Sequence, residues 1–305
     1  MCLSPLTGTN NVTLLKKISA NQIIKDWLEI YQLDIADEFR GYHEIFLYRC
    51  NETKLKFFLP EDIVGSGSLY EKLEKFDWYY MPFKWEHRIA AQDIKKGDRV
   101  IEIGCGYGEF LEGLGAAQIE AYGIELNSKA VEKAQKLGRP VNLMSLEEVV
   151  KQQSKAYDAV CIFQVLEHIP NPSRFINLCI DLLKPGGRLL ICVPDSDGFI
   201  RLADKNLLNQ PPHHISLWSK HVLKALPKYF SLKVTRMLSE PLALYHLDWF
   251  TNLYLKRMPQ IWPLTGLINR IVRNCLLPIL RISKLYKLFR GHSIYVCYQK
   301  INRLP

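Results

Sequence analysis

No run of about 18 uncharged apolar residues occurs in the 305-residue chain, so no transmembrane helix is expected. The first residues lack a basic stretch followed by an apolar core, so no signal peptide is expected either. Eight cysteines (positions 2, 50, 105, 161, 179, 192, 275 and 297) share no regular spacing, which argues against a disulfide framework. Several lie in apolar runs such as Val160-Cys-Ile-Phe163 and Ile191-Cys-Val193, as buried, reduced thiols do. Internal repeats and low-complexity tracts are missing, which excludes repeat arrays and disordered classes. The expectation from these absences is a cytoplasmic protein, with attachment to the inner face of a membrane as its one extension. Acid is scarce in one place. Residues 246–290 hold eight Lys and Arg against a single acid, Asp248, so most of the formal charge of +9 sits there. A basic surface suits nucleic acid, anionic lipid or a phosphorylated substrate, and the sign alone does not choose.

What is present is enough apolar content, 48%, to fill a sizeable core. Residues 1–75 mix helical and extended patterns and read as an N-terminal cap or small domain. Val12 to Leu33 has an amphipathic pattern, and Ile45–Cys50 with Leu55–Leu59 reads as a strand pair across Asn51-Glu-Thr53. An aromatic-rich stretch from Phe76 through Trp85 to Ile94 follows, suited either to closing over a nucleoside or to packing on a sheet. From 98 to 195 the pattern alternates, with strands expected at 99–103, 120–124, 140–144, 157–163 and 187–193. Helices are expected near 108–115, 128–137, 146–153 and 172–183. Strands separated by single helices imply right-handed crossovers and a parallel, doubly wound sheet. A helix at 219–226 and strands at 231–237 and 293–298 complete the pattern. The units expected are 1–75, a core at 76–245, a basic helical insertion at 246–290 and a last strand with tail at 291–305.

The chemistry concentrates at Val100-Ile-Glu-Ile-Gly-Cys-Gly-Tyr-Gly-Glu-Phe-Leu111, a strand, a glycine turn and a helix start. Gly104, Gly106 and Gly108 let the backbone approach a ligand, and the helix start offers free N–H groups. Glu125 closes the next strand about 20 positions on, where a ribose would present its hydroxyls. Glycine turn and acid leave a nicotinamide enzyme and a methyltransferase both open. Glu109 stands where a dinucleotide fingerprint has its third small residue, so the close helix-to-strand approach is expected to be missing. The fourth strand ends in Gln164-Val-Leu-Glu-His168, placing Gln164, Glu167 and His168 at the same sheet edge.

With Glu102-Ile-Gly-Cys-Gly-Tyr-Gly108, Gly123-Ile-Glu125, Gln164-Val-Leu-Glu-His168 and Leu183-Lys-Pro-Gly-Gly187 in that order, residues 80–240 closely resemble the class I S-adenosylmethionine (SAM) methyltransferases. The resemblance is nearest to bacterial ubiquinone and sugar methyltransferases. It implies an α/β fold: a Rossmann-like, doubly wound, seven-stranded sheet with an antiparallel terminal hairpin, an N-terminal cap and a helical insertion before the last strand. It also implies SAM as cofactor. Glu102, Gly104, Cys105, Gly106, Tyr107, Gly108, Glu125, Leu126, Gln164 and Glu167 would then border it, with Glu125 on the ribose diol and the glycine turn at the methionine end. Glu102 is either solvent-side or a partner of the methionine amine. Ser145 to Glu147 would lie near the adenine, where many relatives carry Asp.

Methyl transfer from a sulfonium asks for in-line alignment and, where needed, a base. The candidates are His213 and His214, in Gln210-Pro-Pro-His-His214, and His168. The Pro-Pro-His-His element resembles the loop that this family places over the acceptor. A loop has no core to satisfy two histidines, which favours a functional role over capping the helix near Ser219. His168 has a structural contact beside the cofactor as its alternative role. No metal is expected. Relatives that hold a divalent ion use Glu-x-x-Glu-His, and Gln164 replaces the first Glu. A faint likeness to the zinc-binding cap of sugar C-methyltransferases leaves only Cys2 and Cys50, too few thiols for a tetrahedral site.

In 261–290 the positions Leu264, Leu267, Ile268, Ile271, Cys275, Ile279, Ile282 and Tyr286 recur at helical spacing, with Arg and Lys mostly opposite, Trp262 at one end and Pro278 as a break. Residues 255–290 therefore either lie on a membrane surface or pack on the sheet with solvated basic faces. Nucleic acid is not expected, because the aromatics follow the apolar face. The function expected is methyl transfer to a small-molecule, sugar or lipid-linked acceptor, at O or C rather than N. A non-catalytic SAM-binding partner subunit and a nicotinamide-dependent oxidoreductase are the alternatives.

Overall fold

The computed structural model describes residues 2–76, 79, 84–203, 205–258 and 264–302. The N-terminal unit opens with strand β1 (Val12–Ser19) and helix α1 (Ala20–Tyr31). The amphipathic pattern over Val12–Leu33 is thus split between two conformations. Val12, Thr13 and Ile18 are β-branched and pair with the next strand, and Ser19 starts the helix by accepting from the Gln22 N–H at 3.4 Å. Strands β2 (Glu44–Cys50) and β3 (Lys56–Leu59) form the expected antiparallel pair, and helix α2 (Gly67–Leu73) follows. Around the buried Cys50 thiol, Ser4 and Thr53 supply hydrogen bonds.

The core then runs α3 (Trp85–Asp93), β4 (Arg99–Ile103), α4 (Glu109–Ala116), β5 (Glu120–Glu125), α5 (Ser128–Lys136), β6 (Val141–Leu143) and α6 (Leu146–Gln153). It continues with β7 (Tyr157–Phe163), α7 (Pro172–Leu182), β8 (Leu183–Pro194), β9 (Ser216–Leu217), α8 (Lys220–Ala225) and β10 (Leu232–Pro241). The chain ends with α9 (Leu247–Lys256), α10 (Leu264–Ile271), α11 (Leu277–Ser283) and β11 (Arg290–Lys300).

Seven strands form one sheet in the order β10-β11-β8-β7-β4-β5-β6. The five from β8 to β6 are parallel, and β11 is antiparallel to both of its neighbours. This is the doubly wound α/β sheet with an antiparallel terminal hairpin. Both faces are buried, as parallel sheets require. Val160, Ile162, Leu189 and Ile191 pack on one side, and Ala159, Cys161, Phe163 and Leu190 on the other. Chain order reverses between β4 and β7, so the ligand crevice lies at their carboxyl ends. Lys184-Pro-Gly-Gly187 lies within β8 and shifts its register against β7 rather than preceding the strand.

A second sheet, β1-β2-β3-β9, takes its last strand from the segment after β8, so the N-terminal unit is tied directly to the loop carrying His213 and His214. Beyond β10, α9 packs through Leu247 and through Trp249, whose ring lies 5.0 Å from that of Phe199. A five-residue π turn, Val272–Leu276, separates α10 from α11, and Pro278 sits in the first turn of α11, dividing the helix as its missing N–H demands. Leu264, Leu267, Ile271, Cys275, Ile279 and Ile282 face solvent rather than the core. Trp262 lies outside the described residues, as do 77, 78 and 80–83 of the aromatic stretch. Among the described residues no helix is long and apolar enough to cross a membrane. All eight cysteines are free, six of them buried.

Candidate active site

At the end of β4 the chain turns through Gly104, Gly106 and Gly108, with φ of 69°, 53° and 72°. That left-handed region is cheap only for glycine. A Cβ on Gly104 would also stand 2.6 Å from Cγ2 of Val165. Arg139 braces the turn, its Nη1 donating to the Tyr107 carbonyl at 2.7 Å while the same guanidinium pairs with Glu109 and Glu112. Lys133 lies 3.8 Å over the Tyr107 ring. The close helix-to-strand approach expected to be missing is present. Gly123 on β5 provides it, since a Cβ there would meet Leu111 Cδ1 at 2.6 Å. The small residue sits on the strand instead of the helix, which a search for a third glycine after the turn does not find.

Glu125 ends β5 with its carboxylate turned back onto backbone. Oε2 accepts from Gly106 N–H at 3.0 Å, and Oε1 from the N–H groups of Leu126 and Asn127 at 2.7 and 2.9 Å. Leu126 beside it is 74% exposed, an apolar side chain on open display at the crevice. Glu102 is buried, not solvent-facing, and its Oε2 has no hydrogen-bond partner among the described residues. Burial pushes its carboxyl well above the usual carboxylate range. Cys105 is buried under the turn, its thiol pushed up by the same cause. Ser145, the first residue of the stretch assigned to adenine, caps α6 in a reciprocal pair with Glu148.

Past β7 the side chains change character. Gln164 has φ of 56°, unusual for a residue with a side chain, and its Nε2 lies 3.3 Å from Glu86 Oε1 and 3.4 Å from Ser293 Oγ. Glu167 is buried, neither carboxylate oxygen has a hydrogen-bond partner among the described residues, and burial raises it to about 8. The structure brings His168, His213 and His214 together, with ring centroids 4.5 to 4.8 Å apart. His213 and His214 are not in an exposed loop, and they are not without partners. They are 5% and 6% exposed, with His213 Nδ1 at 3.0 Å from the Leu208 carbonyl and His214 Nδ1 at 2.8 Å from Asn209 Oδ1. The helix that follows is capped by Ser219 instead.

These contacts fix the tautomers. A ring nitrogen facing a carbonyl oxygen must carry its proton, so Nδ1 of His168 donates to the His213 carbonyl at 2.6 Å and Nδ1 of His213 donates to that of Leu208. Tyr79 Oη then donates to His213 Nε2 at 3.0 Å, and the Nδ1 protons of His168 and His214 leave their Nε2 atoms as lone-pair acceptors. His214 Nε2 is 3.9 Å from Glu167 Oε1. Burial, together with mutual repulsion for the last two, holds His168 at about 4, His213 at about 3 and His214 well below its ordinary value. All three are neutral bases at physiological pH. One nitrogen from each lies within 4.8 Å of the others, the spacing of a metal-ligand set, and this is the one such group among the described residues.

Sequence reasoning missed several members. Glu86 on α3, Glu240 at the end of β10, and His292 with Ser293 at the start of β11 all converge here. Glu240 Oε2 accepts from the N–H groups of His292 and Ser293 at 3.2 and 3.1 Å. Burial, reinforced by Glu86, raises Glu240 to about 7. No local pattern marks these residues, because pairing of β10 with β11 across more than 50 positions brings in Glu240, His292 and Ser293, and the packing of α3 brings in Glu86.

A family model described as "Methyltransferase domain" matches residues 78–236, just over half of the chain. The chain belongs to this family. The chain is 37% identical over 101 residues to the ubiquinone biosynthesis O-methyltransferase of Dechloromonas aromatica, covering 31% of this chain and 44% of that protein. It is 27% identical over 151 residues to the protein of the same name from Alkalilimnicola ehrlichii, covering 46% and 61%. The matches thus span about half the length of these curated relatives. Among solved structures, a SAM-dependent methyltransferase from Archaeoglobus fulgidus is similar at 23% identity and a TM-score of 0.49, over 70% of this chain and 92% of that one.

Proposed function

We propose that the protein is a SAM-dependent methyltransferase that methylates a small-molecule, sugar or lipid-linked acceptor at oxygen or carbon. The observation that carries this reading is the buried Oε2 of Glu102, unpartnered among the described residues, beneath a glycine turn with no room for a side chain at Gly104. Glu102 would accept from the methionine amine of SAM through this oxygen, and Gly104, Cys105, Gly106, Tyr107 and Gly108 would offer backbone to the methionine end. Glu125 keeps lone pairs for the ribose hydroxyls, and exposed Leu126 offers an apolar surface to the adenine. Bound SAM supplies an electrophilic methyl group on a sulfonium.

The rest falls to the chain. Gln164 and Glu167 border the methyl at the end of β7, where Gln164 orients a polar neighbour through its amide. His168 and His214 offer Nε2 lone pairs to accept a hydroxyl proton, and His213 holds the ring stack in place. The ubiquinone O-methyltransferase relatives support a small-molecule acceptor and oxygen as the methylated atom. The exposed apolar stripe of α10 and α11 supports peripheral contact of 255–290 with a membrane. Isothermal titration with S-adenosylhomocysteine tests the reading. The wild-type chain is expected to bind, Glu102→Gln to bind about tenfold more weakly, and Gly104→Val to lose binding. A folded wild-type chain that binds no S-adenosylhomocysteine refutes it.

A further inference from the structure

The roles assigned above leave one cavity unused. It measures about 490 Å³ and lies between α3 and the segment that follows β10. Trp85, Tyr245 and Tyr286 give it aromatic walls, and Lys84, Arg88 and Lys287 line it with positive charge. Among the described residues none of these three cations has an ion-pair partner. Elsewhere on this surface Arg and Lys are commonly paired, as Arg281 is with Asp248 and Arg236 with Asp93. Three unpaired cations around one concavity with aromatic sides make a receptor for an anion carrying an apolar or aromatic body.

One wall of the cavity is linked to the reacting edge of the sheet. Glu240 lines the cavity, and its Oε2 is bonded to the Ser293 N–H at 3.1 Å. Ser293 Oγ in turn lies 3.4 Å from Gln164 Nε2, at the end of β7. Two contacts therefore separate the cavity wall from the residue placed beside the methyl group. Lys84 spans the same distance electrostatically, since its charge acts on Glu102, Glu167 and His292 alike.

We propose that this cavity is the acceptor subsite and that it takes a phosphate-bearing acceptor, with the phosphate held at the mouth by Lys84, Arg88 and Lys287 and the body directed toward Glu240 and Gln164. The proposal rests on the methyltransferase reading for the word acceptor, but the phosphate site stands or falls by itself. A soluble phosphorylated molecule and a lipid phosphate present the same chemistry to the three cations.

Calorimetric titration of the full chain with phenyl phosphate, with dodecyl phosphate below its micelle concentration, and with phenol decides the matter. Both phosphates are expected to bind at least tenfold more tightly than phenol. Arg88→Glu and Lys287→Glu are each expected to weaken phosphate binding about tenfold, and Arg88→Lys to restore most of it. A dodecyl phosphate affinity more than tenfold above that of phenyl phosphate assigns the site to a lipid-borne acceptor, and near-equal affinities assign it to a soluble one. Both results uphold the phosphate subsite. Phosphate binding that survives both charge reversals, or phenol binding as tightly as phenyl phosphate, overturns it. S-adenosylhomocysteine titrated into the same samples separates the two claims. If it fails to bind while the phosphates respond as stated, the methyltransferase reading fails and the anion site remains.

Discussion

At the β4–β5 end of the sheet's carboxyl edge, the groups that face the crevice are backbone N–H donors, the Glu125 carboxylate already bonded to three of them, and a single unsatisfied oxygen, Glu102 Oε2. From β7 across to β11 they are imidazoles and carboxylates, and neither oxygen of Glu167 has a hydrogen-bond partner among the described residues. Apart from Glu102, the first half is set by backbone conformation. The second half stores unsatisfied polar groups in a low-dielectric setting, where each interacts strongly with whatever charge or proton enters. A cofactor common to many enzymes suits the first construction, and a particular acceptor suits the second.

The largest effects should divide along that line. His214→Ala is expected to lower methyl transfer from labelled SAM to the acceptor by roughly 10²- to 10⁴-fold. The affinity for S-adenosylhomocysteine should stay within about twofold. Glu125→Ala should do the reverse, weakening S-adenosylhomocysteine binding by about 10- to 100-fold through lost ribose and backbone contacts. If His214→Ala costs cofactor affinity as heavily as Glu125→Ala does, the two halves are a single unit and the comparison fails.

A smaller effect concerns pH, and here the two kinds of buried group pull in opposite directions. Burial lowers His87, His213 and His292 to about 3 and His168 and His246 to about 4, against an ordinary 6.5. Between about 4 and 6.5 the unfolded chain binds more protons at these groups, so stability rises with pH and is lost on acidification. Burial raises Glu240 to about 7 and Glu167 to about 8, from 4.5. Between 4.5 and 8 the folded chain binds more protons there, so stability falls as pH rises. The histidines outnumber these glutamates, and above 6.5 only the glutamates still act. Denaturant unfolding should therefore show a maximum near pH 6.5, with a decline of roughly a kcal/mol or more by pH 5 and a shallower one by pH 8. A profile that climbs steadily to pH 8 would show that Glu167 and Glu240 are ionised and solvated in the folded chain.

The glycine-turn half was legible in the sequence as a fold element because its determinants are local. A strand, three glycines and an acid about 20 positions on are set by backbone geometry within one β-α-β unit, and the expected strands at 99–103 and 157–163 match β4 and β7. The histidine half was legible only in part. His168, His213 and His214 stand out as residue types, yet their burial and mutual contact depend on β9 pairing with β3 and on the Ile215 N–H bonding the Glu167 carbonyl. Glu86, Glu240 and His292 give no sequence signal, because pairing between distant segments brings them in. The first strand was hidden for a related reason. Leu14, Leu15 and Ile18 have helical spacing, but strand pairing with Arg49 and Tyr48 decides the conformation of Thr13 and Leu14.

The smallest predicted effect tests whether the insertion after β10 is built like the rest of the protein or for a different solvent. Ile282 is 84% exposed and Leu288 82% exposed, so neither contributes to the folded core, and replacing either with Asp should change unfolding stability by less than about 0.5 kcal/mol. On a membrane the same side chains would each bury apolar surface worth about 1 to 2 kcal/mol, and the neighbouring Arg and Lys would add about 1 kcal/mol each near anionic lipid. Ile282→Asp and Leu288→Asp should therefore each lower co-sedimentation with vesicles containing anionic lipid by roughly tenfold, with little binding of any form to neutral vesicles. Because the variants differ from the wild type only where the chain meets solvent, unchanged co-sedimentation would mean that this face is simply wet. The cations at the cavity mouth would then have to find their anion in solution.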